Sequence, residues 1–313
     1  MSVDKLSVAS ADRAADLVLN GIADRRGLSV LRIGDGEGVM LNWPDLADPW
    51  TEAYLTTHFG QRLTQPRIDA LAEGLARAVR QAAVLGVRPD VHAADFPPAP
   101  AELGDREIVA WAQLNLALRP EECEQLDPDS ARRLIQLGHW MAGFDWPGQA
   151  LLASAWIHFD WLESGFLAQL ATNQPNIGLV TGRPELAKAF EASGVDVTAY
   201  PVPLRHLRRD PEWSPHFPDR YDQLLEELEP AFPGQVFFVG AGICGKVYCD
   251  VIAGRGGIAL DIGAVCDTWL GLSTRPRVAR HRWGQDAVPQ RLLLENQLRQ
   301  ARQQDREEGN HGR

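Results

Sequence analysis

The stretch Ser29-Val30-Leu31-Arg32-Ile33-Gly34-Asp35-Gly36-Glu37-Gly38 passes from a short apolar run into alternating glycines and acids. Val30 to Ile33 reads as a buried strand. The glycines at 34, 36 and 38 allow a sharp turn and a close approach of backbone to ligand. Asp35 and Glu37 supply hard oxygen donors of the kind Mg²⁺ or Mn²⁺ prefers. Ligands of open α/β sheets gather at the carboxyl ends of strands, which makes this turn the first candidate site. A polar turn with solvated or helix-capping acids is the plainer alternative.

The flanking sequence predicts an α/β fold. Residues 10–22 carry Ala14, Val18 and Ile22 at helical spacing. Residues 39–60 hold Trp43-Pro44-Asp45 and Asp48-Pro49-Trp50, and read as a rim or lid or as ordinary irregular packing. Pro66 opens an amphipathic helix with Ile68, Leu71, Ala72, Leu75 and Val79 on one face. Ala83 to Val87 is then a strand. Residues 91–171 read as a helical insertion, including helices over 108–118 and 129–140 and a long, mostly buried helix over 150–171.

After Asn176 strands and helices alternate. Strands are expected at 177–180, 195–200, 236–239 and 258–262. Helices follow Pro184, Asp219 and Lys246, with a last short one at Cys266 to Leu270. That order gives at least six strands in a Rossmann-like, mostly parallel sheet with helices on both faces. Residues 1–283 are expected to form one domain. Residues 284–313, polar and rich in Gln and Arg, read as a partly disordered tail.

Composition limits the partners. The chain has 313 residues, 45% hydrophobic and 23% charged, with a net charge of −11. An acidic balance argues against nucleic acid as a partner. The four cysteines form no CxxC pair, so no zinc knuckle is suggested. The N-terminus lacks an apolar signal core, and no run reaches a membrane span. A cytoplasmic protein is expected, touching a membrane only through a partner or a surface patch.

A second motif lies late in the chain. Gly240-Ala241-Gly242-Ile243-Cys244-Gly245 matches G-x-G-x-x-G between a strand and a helix, a context for phosphate at a helix N-terminus. Lys246 would point near such a phosphate. Asp261, at the end of the next strand, stands near the ribose-binding position of a dinucleotide fold. Alone, this motif predicts an NAD- or S-adenosylmethionine-dependent Rossmann enzyme. The glycines are equally suited to tight strand–helix packing. Asp261 also belongs to a longer pattern, Asp-Ile-Gly-x-x-x-Asp-x-Trp-x-Gly, from Asp261 to Gly271.

Taken together, Arg32 to Glu37, Gly240 to Lys246, and Asp261-Ile262-Gly263 with Trp269 and Gly271 resemble the GT-D-fold glycosyltransferases. The resemblance covers roughly residues 10–271, with 90–170 alike only in being helical. It implies a Rossmann-like GT-D domain that moves a hexose from a nucleotide sugar, typically UDP-linked, to a glycan or glycoconjugate acceptor. It also implies a divalent metal, Mn²⁺ or Mg²⁺, engaged by Asp35 and Glu37, which would act as metal-binding and catalytic residues. Arg32, Gly34, Gly36, Gly240, Gly242, Lys246 and Asp261 would form the cofactor-binding surface. The stretch Val265-Cys266-Asp267-Thr268 departs from the family pattern. A metal held by two carboxylates would stabilise the charge that develops on the departing diphosphate.

Other residues stay open at this stage. Arg205, His206, Arg208 and Arg209 suit a diphosphate clamp or a solvated basic loop. Arg32 also suits pairing with a nearby acid. Trp140, Trp146, Trp156 and Trp161 suit a sugar platform or, more simply, core. His139 and His158 lie among apolar residues and read as structural. Asp267 or Asp210 could serve as general base to an acceptor hydroxyl. A non-catalytic nucleotide-sugar-binding protein is the remaining alternative.

Overall fold

The computed structural model describes residues 7–45, 48–60, 63–91, 103–146, 148, 150–203 and 216–311. Among them the chain runs α1 (Ala11–Ala23), β1 (Leu28–Arg32), α2 (Asp35–Leu41), α3 (Pro49–Phe59), α4 (Gln65–Gln81) and β2 (Val84–Val87). Next come α5 (Asp105–Asn115), α6 (Pro120–Glu124), α7 (Pro128–Gly143), β3 (Leu151–Ser154), α8 (Ile157–Glu163) and α9 (Phe166–Asn173). Then follow β4 (Ile177–Thr181), α10 (Pro184–Ala192), β5 (Val197–Pro201), α11 (Tyr221–Glu227), β6 (Val236–Gly240) and α12 (Gly242–Gly254). The last elements are β7 (Ile258–Asp261), α13 (Val265–Trp269), α14 (Pro276–Trp283) and α15 (Leu294–His311).

All seven strands join one sheet in the order β3-β2-β1-β7-β6-β4-β5, and every pairing is parallel. Parallel sheets need cover on both faces, and the side chains alternate accordingly. Leu31, Leu85, Phe237 and Ala259 pack into one core beneath α4, α7 and α12. Val30, Val84, Phe238 and Leu260 pack into a second core with α1, α8, α9 and α15.

Two expectations for residue type give way to packing. The long helix expected over 150–171 is a strand followed by two helices. Leu151 to Ser154 pairs with β2 and forms one edge of the sheet. An apolar run of that length suits a buried edge strand as well as a helix, and only the sheet partner decides. Within the tail expected to be partly disordered, Leu294–His311 forms α15. Leu294, Leu298 and Ala301 are buried there, at helical spacing on an otherwise polar helix. Three apolar residues among Gln and Arg are a weak signal in sequence but form a complete contact stripe in the fold.

The sheet also fixes where a ligand would sit. From β1 the chain builds outwards through β2 to β3, then restarts across the sheet at β4. At the carboxyl ends of the adjacent strands β1 and β7 the connections leave to opposite faces. After β1, α2 puts Val39 and Met40 into the first core. After β7, α13 puts Val265 and Trp269 into the second. In doubly wound sheets the crevice at such a divergence is where ligands bind, so the ends of β1 and β7 mark the expected place.

Candidate functional site

The turn after β1 is helical from its first residue. Gly34 is the N-cap of α2, and its N–H donates to Glu37 Oε2 at 2.9 Å. That is the carboxylate half of a capping box. Helical geometry then separates the two acids. Residues at i and i+2 lie about 200° apart around a helix and do not face each other. Asp35 points outwards with its side chain 44% exposed, whereas the Glu37 side chain is 10% exposed.

The glycines serve packing. Gly34, Gly36 and Gly38 all lack the positive φ of a glycine-only turn. A Cβ on Gly38 would lie 2.6 Å from Leu137 Cα, so α2 and α7 meet nearly backbone to backbone. This close approach brings Arg133 of α7 to Asp35, with Arg133 Nε donating to Asp35 Oδ2 at 2.8 Å. Over Gly36 lies the Tyr54 hydroxyl, 2.8 Å from where a Cβ would be. The Arg133 guanidinium sits above the Tyr54 ring at 5.9 Å, and Trp50 stacks on Tyr54 with ring centroids 5.4 Å apart. The segment 39–60 is thus largely helical in its described part, and α3 forms a wall beside Asp35.

Asp35 is surrounded by positive charge. Burial works to raise its pKa, but Arg133 in contact, and Arg275 and Arg88 farther away, outweigh it and hold the carboxyl below its usual value. Arg88 directly follows β2, pairs with Asp90 and Glu122, and lies over the Trp156 ring at 5.8 Å. Arg275 is the exposed N-cap of α14.

Behind α2 the remaining motif residues converge, but on one another. Lys246 Nζ lies 2.8 Å from Glu37 Oε1 and 2.9 Å from Asp261 Oδ2. Asp261 Oδ1 accepts from Arg32 Nη2 at 3.1 Å, and its backbone carbonyl accepts from Arg32 Nε at 2.8 Å. Arg32 Nη1 donates to Ala155 O at 3.3 Å and lies 3.1 Å from His158 Nε2. Burial and then Arg32 depress the His158 pKa well below its usual value, which keeps the ring neutral. Burial opposes the charges of Lys246 and Asp261, but each other and their neighbours prevail: the Lys246 pKa is raised and that of Asp261 lowered.

Several expected site residues are placed away from a ligand by this geometry. α12 starts at Gly242, not at Lys246, so Lys246 lies in the second turn on a buried face and does not reach out to a phosphate. Asp261 is buried with Arg32 at one oxygen and Lys246 at the other, so it faces those cations and not open space. Arg32 pairs with that acid. A Cβ on Gly240 would meet Cys266 Sγ at 2.7 Å, so that glycine serves strand–helix packing. Gly242, with φ +61°, alone in the motif faces open space.

The expected acceptor-side residues are also tied down. Asp267 accepts from Arg183 Nε at 2.5 Å and from Thr274 Oγ1 at 2.6 Å. Trp161 is core, its indole N–H donating to Ala11 O at 3.0 Å. Trp140, Trp146 and Trp156 are half-buried. His139, expected in apolar surroundings, is exposed, because it falls on the outer face of α7. Arg205, His206, Arg208, Arg209 and Asp210 lie outside the described residues.

A shared divalent ion does not fit the Asp35–Glu37 pair. Glu37 has a cation on one oxygen and a backbone N–H on the other, and it faces away from Asp35. Among the described residues no three His, Cys, Asp or Glu side chains converge as a metal-binding group. Sequence reasoning missed Arg88, Arg133, Arg275 and Tyr54. Only Arg88, directly after a strand, carried a positional signal.

No family model and no curated protein matches the sequence. The chain is similar in fold to solved glycosyltransferase-fold domains. One is described as the highly conserved domain of unknown function 1792 with a distinct glycosyltransferase fold. It has a TM-score of 0.47 and 13% identity, covering 88% of this chain and 87% of that one. A second, described as a new glycosyltransferase of that domain type from Streptococcus sanguinis, has a TM-score of 0.45 and 14% identity. The match covers 90% of this chain and 87% of that one.

Proposed function

We propose that this chain is a glycosyltransferase that moves a hexose from a nucleotide sugar, UDP-linked, to a glycan or glycoconjugate acceptor. The observation that carries the proposal is the charge around Asp35. At the crevice between β1 and β7, one half-exposed carboxylate is kept ionised by Arg133, with Arg275 and Arg88 beyond it. Such a site suits a ligand with both a multiply charged anion and hydroxyl groups. Arginine forks bind diphosphate oxygens, and a carboxylate accepts from sugar hydroxyls. The motif resemblance supports the same substrate class.

In the reaction the bond between the sugar's anomeric carbon and the diphosphate oxygen breaks, and its electron pair leaves with the diphosphate. A bond from the same carbon to an acceptor hydroxyl oxygen forms, and that hydroxyl's proton is released. The cationic side chains at the crevice stabilise the charge on the departing diphosphate. Asp35 Oδ2 is held by Arg133, and Oδ1 has no partner among the described residues, so Oδ1 is the atom offered to the sugar. The half-buried Trp50 and Trp156 supply apolar surface for a ring.

No described helix is long and apolar enough to cross a membrane. Action at the cytoplasmic side of a membrane, on material assembled there, belongs to the same proposal.

Calorimetric titration with UDP, NAD⁺ and S-adenosylmethionine tests it, followed by a screen for UDP release from UDP-hexoses. UDP binding that is weakened in Asp35→Asn is expected. Binding of NAD⁺ or S-adenosylmethionine without UDP would move the site to Gly240–Gly245 and sink the proposal.

A further inference from the structure

The two acids of the Asp-x-Glu pair face different surroundings, and only one of them faces the crevice. Glu37 begins a chain of four alternating charges. It meets Lys246 at 2.8 Å, Lys246 meets Asp261 at 2.9 Å, and Asp261 meets Arg32 at 3.1 Å. Two carboxylates and two cations close the set without net charge. The set links the first turn of α2, the second turn of α12, the end of β7 and the end of β1. Lys246 is 5% exposed, and its contact to Gly242 O at 3.4 Å ties it to its own helix. An ammonium therefore stands where an ion shared by Glu37 and Asp261 would have to sit.

We propose that Glu37 is a positioning residue and not a metal ligand. Through Lys246 it fixes the first turn of α2 against β7, and so sets the direction in which Asp35 presents its carboxylate. The proposal rests on the nucleotide-sugar reading for the ligand that Asp35 meets. It departs from the metal-binding role that the motif resemblance implies for Glu37. The capping bond from Gly34 N to Oε2 adds a second restraint on the same turn. A buried charge left without its partner is strongly destabilising, whereas removing both partners together is much less so.

The test compares wild type, Glu37→Gln, Asp35→Asn and Glu37→Gln/Lys246→Met. Each is melted without metal, then titrated with MnCl₂ alone and with UDP at several MnCl₂ concentrations. Glu37→Gln is expected to lower the melting temperature by about 5–10 °C. It should weaken UDP several-fold while leaving the midpoint of any Mn²⁺ dependence within about two-fold of wild type. Three outcomes overturn the proposal. A Glu37→Gln protein that melts like wild type but needs at least ten-fold more Mn²⁺ makes Glu37 a ligand. A lower melting temperature with unchanged UDP affinity removes the positioning role. A double variant no more stable than Glu37→Gln removes the pairing with Lys246, and this arm decides if Glu37→Gln is too unstable to titrate. Wild type that fails to bind UDP defeats the nucleotide-sugar reading. The melting comparison and the titration with MnCl₂ alone still decide the role of Glu37.

Discussion

The guanidinium of Arg32 fills the space that a side chain at Gly263 would need: a Cβ there would lie 2.2 Å from Arg32 Nη2. Gly263 also has φ +47°, which an L side chain rarely adopts. The glycine after β7 thus makes room for the cation that neutralises Asp261. Gly263→Ala must displace Arg32, leaving Asp261 buried with only Lys246 beside it. A loss of about 3 kcal/mol in unfolding free energy is expected from backbone strain and the weakened pair. Urea unfolding measures it, and a change below about 0.5 kcal/mol would contradict the account.

Asp35 and Arg133 make a different kind of pair. Their contact is 2.8 Å, but the carboxylate is 44% exposed, so water screens it. Such pairs contribute at most about 1 kcal/mol to stability. Asp35→Asn is therefore expected to keep the melting profile of wild type and lose at least about 100-fold in transfer rate. Parallel thermal melts and UDP-release assays separate the two effects. A stable variant with wild-type turnover would remove Asp35 from the site.

The architecture was legible wherever a short apolar run met a glycine-rich or proline-marked boundary. β1, β2, β4, β6 and β7, and the helices opened by Pro66 and Pro184, all lie where periodicity and turn chemistry place them. Leu151 to Ser154 was not legible, because an edge strand of this length looks like part of the apolar helix that follows. The site was legible in half. The motif residues do converge in space, but sequence spacing could not tell whether they meet a ligand or each other. That depended on Asp35 being the first residue of a helix, which sends Glu37 to the opposite side. Arg133 was hidden because its approach depends on Gly38 lying against Leu137, a contact across 99 residues of chain.

The C-terminal helix gives a stability prediction that a disordered tail would not. Gln297 is buried and bridges two elements, accepting from Trp269 Nε1 at 2.9 Å and donating to Leu162 O at 2.6 Å. Leu298, next to it, is 1% exposed in the second core. Leu298→Ala is expected to cost about 2–5 kcal/mol, as for other buried leucines. Denaturant unfolding would show the loss, and limited proteolysis would show earlier cleavage near α15. Wild-type stability would mean that α15 does not dock in solution.

Acid sensitivity is expected from a histidine away from the site. His216 lies 2.7 Å from the Tyr248 hydroxyl, and burial followed by Arg220 depresses its pKa to about 4 from the usual 6.5. The sign follows from which state binds the proton first. As pH falls below 6.5 the unfolded chain protonates this ring while the folded chain does not, so folding stability falls with pH. The loss runs from the unfolded value down to about pH 4, then levels off once the folded ring also titrates. Across that window one ring accounts for roughly 3 kcal/mol. His216→Gln keeps a donor and acceptor for Tyr248 but has no proton to gain. Unfolding free energies of wild type and variant, measured from pH 7 to pH 4, should therefore lie closest at neutral pH and separate in acid, with wild type losing roughly 3 kcal/mol relative to the variant. Parallel curves across that range would show that His216 is not held neutral by the fold.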